Sequence, residues 1–512
     1  MKRLMDAMEK HKWLSWTLFL ATVVIVFLVG LLGASIMERR SEALYAVRQI
    51  KPIADWEPRN EVWGENFRRQ YESYRNTLDT SFRSKYGGSA TRDLLEEQPL
   101  LVTLWAGYAF SREYKQARGH YWSIQDVRSS LRTGVPQPAT CWSCKSTDVP
   151  RVMNEIGVAK FYGEKWAALG SEIVNNIGCQ DCHDNKTMNL RISRPALVEA
   201  FERQGKDITK ATHQEMRSLV CAQCHVEYYF KGEDKYLTFP WDKGFSADSM
   251  EAYFDAVGHV DWVHKLSRAP MLKAQHPDYE LYRTGIHAER GVSCADCHMP
   301  YRSQGGTKFT DHQLRSPLAN VANSCGVCHR ESEAELVRVV NSRQDKVMEV
   351  RKMVEFALFR AHLEAKAAWD NGATEDEMKP VLTLIRHAQW RWDWVAAANG
   401  VGFHSPVEAL RTLSTALEKA IEAHAKLLVI LAKHGVTEPI ALPTFKSKAE
   451  AQAFVGLDMK KLEQEKEEFF KTVVPKWDEA AKAREQKLSS MLMPSRPASS
   501  DFAASTSQAE QK

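Results

Sequence analysis

Cys141-Trp142-Ser143-Cys144-Lys145 is the first of five Cys-x-x-Cys units that together use all ten cysteines of the chain. The other four end in histidine: Cys179/Cys182/His183, Cys221/Cys224/His225, Cys294/Cys297/His298 and Cys325/Cys328/His329. A Cys-x-x-Cys-His run is the attachment pattern of c-type haem, in which two thiols trap the vinyl groups and the next residue reaches the iron from below. With ten cysteines and 17 histidines in 512 residues, chance supplies on the order of 0.01 such runs. Four are no accident. Structural zinc favours Cys-x-x-Cys units in pairs, and five is odd. A disulfide scaffold leaves the histidines unexplained, and a thioredoxin-like motif occurs once. Taken alone, the lysine unit reads equally well as a bystander. Beside four haem units, with no cysteine left over, it reads as a fifth haem whose lower ligand is lysine.

The rest of the composition narrows the class. Sixty-nine basic against 65 acidic residues give no excess of the kind nucleic-acid binding requires, and 44% hydrophobic content excludes a disordered chain. From Trp13 to Met37 no residue is charged, long enough to cross a bilayer and long for a signal core of roughly 7–15 residues. Lys2, Arg3, Lys10 and Lys12 precede it, which puts the N-terminus in the cytoplasm, although Arg39 and Arg40 weaken the asymmetry. A retained anchor is the expectation; Gly33 and Ser35 keep a cleaved signal as the alternative. Either way the body lies outside the cytoplasmic membrane.

Beyond Arg330 the texture changes from Gly-, Pro- and aromatic-rich chain to long amphipathic helices. Leu336, Val340, Val347, Val350, Val354, Leu358 and Ala361 recur at helical spacing up to a stop at Asn371-Gly372. Thr374 with Glu377 reads as a capping box opening a second helix through Val381, Leu384, Ala388, Trp392 and Val395. Ser405-Pro406-Val407-Glu408 reads as another, and Ser447 with Glu450 as the start of a fourth helix running to about Lys487. The expected division is a basic cytoplasmic end at 1–12, an anchor or signal at 13–37, a haem-bearing region at 38–335, a long-helix region of the same domain at 336–487 and a disordered tail at 488–512. The fold class is mainly α: an irregular haem-wrapping region followed by long C-terminal helices.

Histidine on both faces of a haem gives an iron suited to passing electrons, whereas an open upper face gives a place for substrate. A lysine amine binds iron only when deprotonated, which costs free energy at neutral pH. Lysine below and nothing above marks the expected catalytic iron. Cys-Trp-Ser-Cys-Lys followed by four Cys-x-x-Cys-His units, with Cys221 to Phe230, Met271 to Pro277 and Arg386 to Asp393, closely resembles the pentahaem cytochrome c nitrite reductases. The resemblance spans roughly Trp105 to Lys476.

That resemblance implies the six-electron reduction of nitrite to ammonium, with five haems c and one calcium ion. Its active-site arginine, tyrosine and histidine fall on Arg132, Tyr228 and His276. Chemistry suits each: a guanidinium for an anion, a phenol as donor, and an imidazole for repeated proton delivery. By position alone, Arg132 reads also as a haem-propionate partner, Tyr228 as a ring packed on haem, and His276 as a sixth iron ligand. The calcium ligands implied are the Glu227 carboxylate, the Tyr228 and Lys273 carbonyls and the Gln275 side chain, an all-oxygen set fit for a hard cation. The implied upper ligands are His312 for the haem of His183, His120 for that of His225, His404 for that of His298 and His287 for that of His329. His213, His259, His264, His362, His387, His424 and His434 are left to pack, cap helices or face solvent. Family members are homodimers fed by a membrane quinol-oxidising multihaem cytochrome or a soluble multihaem donor. The rival readings are a non-catalytic electron carrier and the same scaffold acting on hydroxylamine or sulfite.

Overall fold

The structure is a computed structural model that describes residues 11–46, 49–134 and 137–492. It divides into two units, Met1–Ile53 with Lys186–Met188, and Ala54–Asn185 with Asn189–Lys512. The first holds helix α1, Lys12–Ala46. Its apolar part, Lys12–Glu38, has 27 residues, a mean hydropathy of 2.7 and none of it buried. At ~1.5 Å per residue it reaches ~40 Å, more than the ~30 Å hydrocarbon layer of a bilayer. Most of the expected basic end at 1–12 lies outside the described residues.

The second unit is mainly helical, with strands confined to three two-stranded hairpins. They pair Tyr229–Lys231 with Tyr236–Thr238, Trp262–Val263 with Pro270–Met271, and Tyr301–Gln304 with Thr307–Thr310. Through residues 54–332, besides these hairpins, the described chain makes helices of no more than 11 residues joined by loops, as expected of chain shaped around something other than itself.

Three long helices follow. Helix α2, Glu333–Asp370, opens on Ser332, whose side chain accepts from the Glu335 amide, and ends at Asn371, where Gly372 takes a left-handed turn at φ +92. Helix α3, Glu375–Ala397, has the expected capping box between Thr374 and Glu377. Helix α4, Pro406–Lys433, packs against both α2 and α3. Its expected capping box is absent: Ser405 turns its hydroxyl to the Thr284 carbonyl, 3.2 Å away, and so ties the helix start to the haem-bearing region.

In α3, Trp390, Trp392 and Trp394 are all fully buried. Trp390 and Trp394, four residues apart, share one face, and Trp392, ~200° round from Trp390, takes the opposite one. Burial on both faces makes this stretch of α3 interior. Trp392 meets Trp105 at 5.6 Å between ring centres, and Trp105 meets Trp262 at the same distance, so α3 carries the core into the haem-bearing region. Truncating one such ring to alanine costs about 3–5 kcal/mol.

The expected fourth helix is three: Lys448–Phe454, then α5, Met459–Thr472, and α6, Val474–Leu492. Gly456, at φ +71, breaks the first from the second. Only half of the Ser447/Glu450 box forms, because the Glu450 carboxylate accepts from Lys446 rather than from Ser447. Helix α6 runs on through Leu492 by its own backbone hydrogen bonds, into the stretch expected to be disordered; residues 493–512 lie outside the described part.

Candidate active site and cofactor units

Cys141 to Lys145 sits on a tight turn, Ala139–Trp142, held by an aromatic stack. The Trp142 ring lies 4.7 Å from that of Trp166 at an interplanar angle of 7°, and its indole N–H donates to the Trp166 carbonyl. Arg194 braces the next turn: its guanidinium donates to the Ser143 and Ser146 carbonyls and to Asp181 at 2.6–2.8 Å. Asp181 lies inside the second Cys-x-x-Cys-His unit, so one buried arginine fixes two units against each other.

No disulfide joins the ten cysteines, and several units lie close together through them. The Cys144 thiol lies close to that of Cys224, and the Cys221 thiol close to that of Cys294. Cys182 lies near Cys224, and Cys297 near Cys325. The lysine unit therefore adjoins the His225 unit, which adjoins that of His298, and the His329 unit follows.

One thiol departs from the pattern. Nine of the ten are partly buried and Cys328 is exposed. The reason is its position. The fifth unit lies on a short surface turn, Cys325–Val327, with Val327 itself 65% exposed and the His329 side chain about half exposed.

The expected upper-ligand histidines can be tested by distance. Ring centres stand 6.2 Å apart for His183 and His312, 6.3 Å for His287 and His329, and 6.3 Å for His298 and His404. That is too far for stacking or hydrogen bonding. Two imidazoles on opposite sides of one metal, with bonds of about 2 Å and about 1 Å more from nitrogen to ring centre, stand about 6 Å apart. The residues fit a bis-histidine iron. Burial pulls His298 and His312 down to about 4, which keeps the rings neutral and able to ligate. His120 is likewise held at about 4 by burial, with the charges of His225 and Lys145 acting on it, so it lies beside both units.

Around Lys145 stand different residues. Arg132 follows the helix Ser123–Ser129; its amide and Nε both donate to Ser130 Oγ, at 3.2 and 3.3 Å. Gln137 Nε2 donates to its carbonyl, and the Phe110 ring lies 4.3 Å under its guanidinium. The turn is also held from α5, where Lys466 donates to the Arg128 and Thr133 carbonyls at 3.1 and 2.8 Å. Among the described residues, the terminal guanidinium nitrogens of Arg132, the Tyr228 hydroxyl, the His276 ring and the Lys145 amine have no hydrogen-bonding partner. Charges of Lys145 and Arg132 both act on Cys141, and that of Lys145 on His276, so the four share one neighbourhood. Burial, with Lys145 adding to it, takes His276 down to about 3: the ring is neutral. Burial pushes the Tyr228 phenol well up, so it keeps its proton.

Glu227, fully buried, accepts from the Gln275 amide through Oε2 at 2.6 Å, while its Oε1 has no partner. Gln275 Nε2 faces the Lys273 carbonyl at 3.3 Å. Burial raises the Glu227 carboxyl well above its usual range. An orphaned carboxylate oxygen beside two amide groups suits a hard cation, and half a turn of the Gln275 amide would set its oxygen beside the Lys273 carbonyl. The segment is anchored by a buried ion pair: Lys273 Nζ meets Asp393 of α3 at 2.9 Å, and Asp393 also accepts from the Ala274 amide.

Four supporting side chains were not singled out from the sequence: Asp393, which closes the Arg386 to Asp393 stretch, Lys466 far along the chain, and Asp278 and Glu280, two and four residues after His276. Glu280 accepts from the Glu227 amide at 2.9 Å. The spare histidines do pack: His264 and His362 stack at 3.7 Å in the core, His387 meets Asp255, His424 meets Glu364 and His434 meets Glu377.

The family model for cytochrome c552 matches residues 59–487. The chain is 56% identical over 482 residues to a cytochrome c-552 of Porphyromonas gingivalis, covering 92% of this chain and 97% of the relative. It is 56% identical over 486 residues to one of Bacteroides thetaiotaomicron, covering 93% and 99%. Among solved structures, the catalytic subunit of the cytochrome c nitrite reductase of Desulfovibrio desulfuricans, described with two calcium sites, superposes with a TM-score of 0.71 at 32% identity. It covers 80% of this chain and 91% of its own.

Proposed function

This chain belongs to the cytochrome c552 family, and from that premise we propose that it reduces nitrite to ammonium at the Lys145 unit. Haem c bound at the five units would supply irons that pass single electrons and, above Lys145, a coordination position for nitrite. The asymmetry of the histidines carries this reading. Three pairs face each other at 6.2–6.3 Å, whereas Lys145 is surrounded by Arg132, Tyr228 and His276 with their donor atoms uncommitted.

The terminal nitrogens of Arg132 bind the anion through paired, charge-assisted bonds, and Phe110 and Ser130 hold the guanidinium in plane. His276, neutral at rest, hydrogen-bonds the substrate; an anion beside it raises its affinity for a proton, so it charges when delivery is needed. Tyr228 donates from a phenol that burial keeps protonated. Nitrogen falls from +3 to −3, which takes up six electrons and eight protons and releases two waters. Glu227, with the Tyr228 and Lys273 carbonyls and Gln275, would hold one calcium ion and so fix Tyr228 and His276, each adjacent to a ligand.

The apolar length of α1 supports an anchor that leaves the body on the periplasmic side, fed by a quinol-oxidising multihaem cytochrome or a soluble multihaem donor. Exposed Met353 and Phe356 on α2 and Ile421, Leu428 and Val429 on α4 support pairing of two chains through these helices. The deciding assay supplies electrons from a reduced viologen and quantifies ammonium formed from nitrite. Stoichiometric ammonium is expected; electron uptake with no ammonium would leave an electron carrier.

A further inference from the structure

The described partners of the iron-side histidines differ in kind. His298 Nδ1 stands 2.9 Å from the Arg315 carbonyl, and His312 Nδ1 stands 2.8 Å from that of Thr310. His329 has Glu331 at 3.8 Å, beyond hydrogen-bonding distance, and that carboxylate is 55% exposed, where water screens its charge. His225 is another case. Its Nδ1 lies 3.1 Å from the Oδ2 of Asp278, a residue only 8% exposed. The carboxylate is held in place by Asn399, whose amide donates to Oδ1 at 2.5 Å and whose Nδ2 donates to Oδ2 at 2.8 Å.

An imidazole that gives Nε2 to a metal keeps its proton on Nδ1 and must donate it. Donation to a neutral carbonyl changes the ring little; donation to a buried carboxylate pushes electron density toward the metal side. From this geometry we infer that Asp278 is a redox-tuning partner of His225, holding the iron of the third unit at a lower potential than a carbonyl partner would. The inference rests on the haem reading of the units. An added negative charge beside the ligand favours the ferric over the ferrous state, so the sign is fixed. The consequence for electron flow follows from the contact between Cys144 and Cys224, which makes this unit the neighbour of the lysine unit. A low-potential neighbour passes electrons onward rather than holding them.

Two substitutions test it in the full five-haem protein, followed by spectroelectrochemical titration with electron paramagnetic resonance of the low-spin signals. Asp278→Asn replaces the anion by a neutral acceptor, and one midpoint potential is expected to rise while the other four stay. Asn399→Ala removes a donor that competes for Oδ2, and the same midpoint is expected to fall. Opposite shifts cannot come from general loosening. Unmoved midpoints, or shifts of one sign in both variants, overturn the inference while the five haems remain countable as the pyridine haemochrome. A wild-type chain without haem at the third unit overturns the haem reading, and this inference with it.

Discussion

At the scale of single residues, the proposed chemistry rests on Lys145 and Arg132. Lys145→His is expected to keep five haems by pyridine haemochrome and to lose most nitrite turnover, measured as ammonium released; undiminished turnover removes any special role for the amine. Arg132→Ala deletes charge-assisted bonds worth about 1.5–3 kcal/mol, so kcat/KM for nitrite should fall roughly 10- to 150-fold. Electron uptake by the other haems should stay, since Arg132 touches none of the paired histidines; equal loss of both contradicts an anion-binding role. Much of this was legible in the sequence because attachment chemistry is local: five residues in a row specify a unit. The surroundings of those units were not legible. The motif around Cys328 reads like the other three histidine units, yet only the fold sets it at the surface. His225 and Asp278 are 53 positions apart and Lys273 and Asp393 are 120 apart, and no periodicity links them. Only the fold brings them together.

Among the elements, α5 reaches furthest. Lys466 donates to two carbonyls of the Arg132 turn from more than 330 positions away. Lys466→Met should raise KM for nitrite more than it lowers kcat, and should speed amide exchange over residues 128–134 of the holoprotein; unchanged exchange with unchanged KM removes the clamp. The stacked pair His264 and His362 joins α2 to α3 through Gln389, which accepts from His362 at 2.7 Å. Burial takes His362 from a usual 6.5 to about 4 and His264 well below 6.5. Below pH 6.5 the unfolded chain binds protons that the folded chain refuses, so stability is full above 6.5 and falls as the pH drops toward 4. Each ring contributes a slope of about 1.4 kcal/mol per pH unit. His362→Asn should flatten the fall of the thermal midpoint between pH 6.5 and 4; an unchanged slope contradicts the account. The start of α3 and the stop at Asn371 are readable because cap or turn residues and apolar spacing agree there. The break at Gly456 is hidden, since the charged run after it keeps helical composition while its backbone does not. Ser405 misleads because its hydroxyl finds a tertiary acceptor in Thr284.

For the whole molecule, the proposed anchor rests on α1 and the proposed pairing on the exposed apolar residues of α2 and α4. If α1 is retained, carbonate washing should leave the protein in the membrane fraction, and a chain starting after residue 46 should be soluble with ammonium formation intact; recovery of the full chain in the soluble fraction points to cleavage. The thiol contacts between units constrain how the molecule is made. Cys144 meets Cys224, 80 positions away, and Cys221 meets Cys294. In an oxidising compartment, sulfurs brought that close while still bare cross-link. If each unit takes a haem c, as proposed, covalent capture of each porphyrin has to outrun collapse of the polypeptide, and a ribosome's product left waiting for its pigment would knot itself into a dead end.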